Sequence, residues 1–259
     1  MARVLFATLP GRIGQITLND PDNLNAMGEE MATEFSALLE RLRPESPSLR
    51  ALVLTGAGRA FSAGGNLEML ESKRALSGEE NRLRMLQFYR SFLEIRDLRV
   101  PLIAAINGHA VGAGLCLASA CDIRIAGDKA KLGFTFTRLG LHPGMGATWF
   151  LPKVIGESAA MELLLTGRLI EADEALRLGL VSRIVPVAEV LAEALKVAGE
   201  ISACGPESVR QVLETVRTGH GSLGAALERE AACQSINYAS GEFAEGVRAA
   251  IEKRPAKFS

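Results

Sequence analysis

The sequence is poor in the residues that most often build metal and redox centres. Its four cysteines, Cys116, Cys121, Cys204 and Cys233, form no CxxC pair and no regular framework, so reduced thiols in a cytoplasm are expected rather than a disulfide scaffold. The three histidines, His109, His142 and His220, show no HxH or HExxH spacing, and no metal site is expected. No apolar run approaches the ~18 residues of a membrane span, and the first twenty residues lack the pattern of a secretory signal. Lysine and arginine are scattered and the formal net charge is -1, which argues against nucleic acid or an acidic membrane surface as a partner. A GxxxxGK[ST] phosphate loop is missing, and 112-GAGLCL-117 puts Leu117 where a dinucleotide fingerprint needs a third glycine.

What is present is a chain of 259 residues, 48% hydrophobic, able to bury a large core. Its start reads as a hairpin, 3-RVLFATL-9 and 13-IGQITLN-19 about a Pro10-Gly11 turn. Met27, Met31, Phe35, Leu38, Leu39 and Leu42 then recur at helical spacing. Buried strands are expected at 51-ALVLTG-56, 102-LIAAIN-107 and 122-DIRIAG-127. A helix over 79–98 turns Met85, Phe88, Phe92 and Ile95 to one side. Helices dominate after Ala147: 157–167, 172–179, 187–202, 207–217 and 223–236. The order strand, glycine loop, helix, strand points to stacked α/β units, with the helical end as a subdomain on the same core.

Two loops carry the chemistry. Both 61-FSAGGNLEM-69 and 107-NGHAVGAGLCLASACD-122 place small residues between a buried strand and a helical segment. A lone glycine there would mean only a tight turn. Two such loops in successive units can present two backbone N–H groups to one oxygen, an arrangement suited to an oxyanion formed during reaction. The segment 60-AFSAG-64 also resembles a nucleophile elbow with its first glycine replaced, which makes a serine hydrolase using Ser62 a distant rival.

The ordered set 23-NLNAM-27, 55-TGAGRAFSAGGNLEM-69, 104-AAINGHAVGAGLCLASACDIRIA-126, 139-LGLHPGMGAT-148 and 162-ELLLTGRLIEADEALRLGLVSRIV-185 resembles the enoyl-CoA hydratase/isomerase, or crotonase, family over nearly the whole chain. The resemblance implies an α/β fold, a crotonase-like spiral of repeated ββα units, here 1–195, with a helical C-terminal trimerisation region, here 196–259. It implies a homotrimer or dimer of trimers acting on an acyl-CoA thioester, with no cofactor beyond the coenzyme A of the substrate. By position, the N–H groups of Gly65 and Ala113 would hold the thioester enolate. Ala63, Gly65, Asn66 and Leu67 would receive the carrier, with Asn66 in place of the more usual Asp. The C-terminal 252-EKRPAKF-258, Lys257 included, is expected to add to the carrier site.

One departure matters. The two glutamates of family hydratases fall at Cys116 and Phe136, so both carboxylates are replaced. The acid of dienoyl-CoA isomerases and some dehalogenases falls near Gly144 or Met145 and is missing too. Phe136 cannot transfer a proton, and an ordinary thiol with a pKa of about 8.5 is mostly neutral at pH 7. An acid or base moved elsewhere is therefore expected, with His142, Cys116 and Arg138 as candidates. The alternatives are a family decarboxylase or other lyase on an acyl-CoA or acyl-carrier thioester, and a non-catalytic acyl-CoA binder.

Overall fold

A computed structural model describes residues 2–258. The chain opens with β1 (Val4–Leu9) and β2 (Ile13–Leu18) in an antiparallel hairpin, followed by α1 (Glu29–Leu42). Next come β3 (Ala51–Gly56), the short β4 (Ala60–Ser62), α2 (Leu67–Ser72) and α3 (Gly78–Leu93). A second passage repeats the order as β5 (Leu102–Ile106), β6 (His109–Val111) and α4 (Ala113–Ala120). Then follow β7 (Ile123–Gly127), β8 (Lys131–Gly133), α5 (Ala147–Ile155), α6 (Glu157–Thr166), β9 (Leu169–Glu171), α7 (Ala172–Arg177) and β10 (Arg183–Val185). Four helices close the chain: α8 (Val190–Ser202), α9 (Pro206–Thr218), α10 (Leu223–Tyr238) and α11 (Gly241–Glu252).

Two sheets result, β1-β2-β3-β5-β7-β10 and β4-β6-β8-β9. In the larger, every pair after the hairpin is parallel, and both faces are covered. Leu52 and Leu54 of β3, with Leu102 and Ala104 of β5, face the cluster that holds Phe35 of α1 and Phe92 of α3. Ala51, Val53, Ile103 and Ala105 face the opposite cluster, closed by Val190, Ala194, Val197 and Ala198 of α8. Period-two alternation thus divides one uniformly apolar strand between two cores, as parallel sheets require.

The covering role of α8 corrects the division expected at residue 195, which falls inside this helix. The helical region that stands apart begins after Ser202. It is tied back by Arg217, whose guanidinium bonds both Asp122 carboxylate oxygens at 2.8 and 2.6 Å and the carbonyls of Arg96 and Val100.

Candidate active site

The two strand-to-helix passages end side by side. The first loop is riveted by Asn25, fully buried, whose Nδ2 donates to the carbonyls of Ala57 and Ala60 at 2.9 and 2.8 Å. Asn107 ties both loops together: its Oδ1 accepts the Gly56 N–H at 3.1 Å and its Nδ2 donates to the Gly58 carbonyl at 3.0 Å. At the tips, Gly64 and Gly112 take positive φ, +98° and +52°, which an L side chain rarely adopts. A Cβ on Gly64 would stand 2.7 Å from the Val111 carbonyl oxygen, which shows how closely the loops approach.

The Met27 N–H donates to the Gly64 carbonyl at 2.7 Å, and the Gly112 N–H to the Gly133 carbonyl at 2.8 Å. The next N–H along each loop, Gly65 and Ala113, finds no protein acceptor among the described residues. Ala113 is moreover the first residue of α4, where the helix N-terminus favours negative charge.

Both N–H groups border one cavity of about 410 Å³, within the usual range for a small-molecule site. Its wall is largely apolar, with Leu70, Met85, Phe88, Phe136, Leu139, Leu141 and Met145. The titratable side chains on it are Lys73, Tyr89 and His142, and no carboxylate lines it among the described residues. A wider cavity of about 860 Å³ adjoins it, sharing Ala63, Gly65, Leu67 and Met69, and carries charged residues of both signs, among them Arg3, Arg59, Asp22 and Glu68. Where they meet, Lys73 pairs with Glu29 at 3.1 Å.

The enoyl-CoA hydratase/isomerase family model matches residues 9–259. The chain belongs to that family. A Thermus thermophilus protein classed provisionally as an enoyl-CoA hydratase is 39% identical over 96% of this chain and 98% of its own. Among solved structures, an enoyl-CoA hydratase from Bacillus anthracis superposes with a TM-score of 0.91 at 33% identity, covering 99% of this chain and 98% of that one. A Mycobacterium abscessus enoyl-CoA hydratase/isomerase of provisional class gives 0.92 at 34%, covering 99% of both. The fold is the α/β crotonase fold with its helical C-terminal region, and the chain is an acyl-CoA-processing enzyme of the lyase or isomerase class.

Against that background the expected residues separate. Gly65, Ala113, Phe136 and His142 line the inner cavity, and Ala63 and Leu67 border both. Asn66 faces the outer one, but its Oδ1 is engaged in accepting the Met69 N–H at 2.8 Å, so it caps α2.

Cys116 departs from its expected place. It is fully buried beneath the first turn of α4 and lines neither cavity. Burial pushes its thiol far up, so it keeps its proton and acts as core. Arg138 is also absent from both walls, its Nε donating to the Thr166 carbonyl at 3.2 Å. Lys257 borders neither cavity within the chain; its N–H is held by Glu245 Oε1 at 2.9 Å. Ser62 is fully buried and donates to the Asn25 carbonyl at 2.8 Å, which removes the nucleophile of the hydrolase reading.

Five lining residues were not singled out from the sequence: Leu70, Lys73, Asn81, Tyr89 and Thr135. Tyr89 follows Phe88 on a helix read only for its apolar side. The available signal was that the chain has two tyrosines.

Proposed function

We propose that the inner cavity holds the acyl thioester and that the Gly65 and Ala113 N–H groups stabilise its enolate. The observation that carries this reading is a pair of uncommitted backbone donors from two rigid loops opening into one apolar cavity. As negative charge gathers on the thioester oxygen, each well-placed donor contributes about 3 kcal/mol to the transition state. The adjoining wide cavity receives the carrier end of coenzyme A, and no further cofactor takes part. The protein works in the cytoplasm as a homotrimer or dimer of trimers.

Without a carboxylate on the wall, the proton work differs from two-glutamate hydration. His142 is the group at the mouth suited to act as base. Its Nδ1 lies 2.8 Å from the Pro143 carbonyl oxygen, which can only accept, so Nδ1 carries the hydrogen and Nε2 keeps its lone pair. A decarboxylation is favoured as a second reading by the same wall: loss of CO₂ from a malonyl-type thioester creates the enolate without any base, and no acidic side chain repels the departing carboxylate.

The test is a panel of crotonyl-CoA and malonyl-CoA, with acetyl-CoA binding by calorimetry, followed by mass spectrometry. Tighter binding of acetyl-CoA than acetate is expected, with conversion that collapses in Ala113→Pro, which removes the N–H. Crotonyl-CoA hydration should run about 10²–10⁴-fold below that of a two-carboxylate hydratase. Equal binding of thioester and acid, with no conversion, would overturn the reading.

A further inference from the structure

Hydration and decarboxylation share a last step: the enolate carbon next to the thioester must take a proton. The family's glutamates are replaced, Cys116 is sealed in the core, and His142 sits at the exposed mouth. Lys73 is held by Glu29. Among the wall groups with an uncommitted polar atom, Asn81 Oδ1 can only accept and Thr135 carries a weakly acidic alcohol, which leaves one phenol as the donor. Tyr89, half-buried on α3, lines the inner cavity with Gly65 and Ala113, and its hydroxyl makes no hydrogen bond to any described residue.

Two further observations fix where that hydroxyl lies. A Cβ on Gly144 would stand 2.9 Å from Tyr89 Cζ and closer still to Oη, so the 143–146 segment is pressed directly against the phenol. The helix that carries Tyr89, α3, also packs against α4, whose first residue is Ala113. The hydroxyl therefore lies against the 143–146 segment, on the wall of the cavity that the Gly65 and Ala113 N–H groups also border. A hydroxyl on an apolar wall with no protein partner is free to donate to a ligand in the cavity.

We propose that Tyr89 is the proton donor to the α-carbon of the enolate, in place of the missing carboxylate. In that step the Oη–H bond breaks and the enolate electron pair forms the new Cα–H bond. The thioester carbonyl is restored, and the phenolate left behind regains its proton from water. Burial raises the phenol's pKa, which keeps the donor protonated at working pH and makes the phenolate short-lived.

The inference rests on the enolate reading of the site, and the test separates the two. Wild type, Tyr89→Phe and Gly144→Ala are assayed with crotonyl-CoA and malonyl-CoA in D₂O, with the stereochemistry of Cα deuteration read by NMR. Tyr89→Phe keeps the ring, so KM should stay within about threefold while kcat falls about 10²-fold or more. Label placed on one face by the wild type should appear on both faces in the variant, an effect that lost packing alone does not produce. Gly144→Ala should displace the hydroxyl and reproduce both changes with Tyr89 intact. Unchanged kcat and one-sided labelling in Tyr89→Phe would overturn the assignment and leave the enolate reading standing. A wild type that turns over neither thioester would remove both.

Discussion

Gly64 shows how much of the site rests on the backbone of single residues. Its φ of +98° is strained for any L side chain, and an added Cβ would meet the Val111 carbonyl at 2.7 Å and the Ala113 nitrogen at 3.5 Å. Gly64→Ala is therefore expected to cost about 1–3 kcal/mol of stability by urea denaturation. Turnover should drop by more than the lost stability explains, because the change pushes apart the two loops that aim the Gly65 and Ala113 N–H groups. A variant with wild-type midpoint and wild-type turnover would show that the loops do not need this contact. The two small-residue loops were legible in the sequence as a pair, and the family resemblance put the proposed donors at Gly65 and Ala113 within them. Proton transfer was less legible: Cys116 has the identity of a reactive group, and only burial shows that it is inert. Tyr89 has an ordinary identity in an apolar helix, and only its neighbours show where its hydroxyl points.

Among the elements, those with long regular patterns were readable. The 51–56 and 102–106 strands are buried at every position and almost wholly apolar because both faces are covered, and α1 buries six residues at helical spacing. The second sheet was not readable, since β4, β6, β8 and β9 have three residues each, too few for a period to show. His109, at the start of β6, takes a place in that sheet's loops, its Nδ1 accepting the Lys131 N–H at 3.0 Å. α11 was passed over too, its apolar positions mixed with charge. It holds the chain end through Glu245, which accepts from Arg254 at 2.6 and 3.0 Å and from the Lys257 N–H. The Arg254 guanidinium, with the Lys257 N–H, lowers the Glu245 carboxyl from 4.5 to about 2. A lowered folded-state pKa means stabilisation that is complete above pH 4.5 and lost as pH falls through about 2. Amide exchange of residues 253–258 should thus be constant above pH 5, once corrected for intrinsic rates, and lose protection in acid. Glu245→Gln should show the unprotected level at every pH, and protection unchanged in that variant would mean that packing alone docks the tail.

At the scale of the whole molecule, the apolar surface is distributed unevenly. α10 runs for sixteen residues without burying one, and Leu223, Leu227 and Ile236 are 76%, 54% and 60% exposed. Val212 and Val216 of α9 and Val247 and Ile251 of α11 add to the same helical end. An isolated helix of this length is marginal in water, and α10 has little of its own chain to pack on, which is what the proposed homotrimer would account for. In that proposed assembly the same end recurs on every chain, and closed symmetry would let three copies cover one another's patches. Light scattering at micromolar concentration is expected to give about three times the 27.6 kDa chain mass, or twice that again for paired trimers. Leu227→Glu with Ile236→Glu places charge in the covered face and should release folded monomers, since neither side chain supports the core of its own chain. Wild-type protein that scatters as a monomer, or a double variant that stays assembled, would move the contact away from α10. Another exposed group, Trp149 and Met161 with Leu165 on α5 and α6, would then be the next surface to substitute.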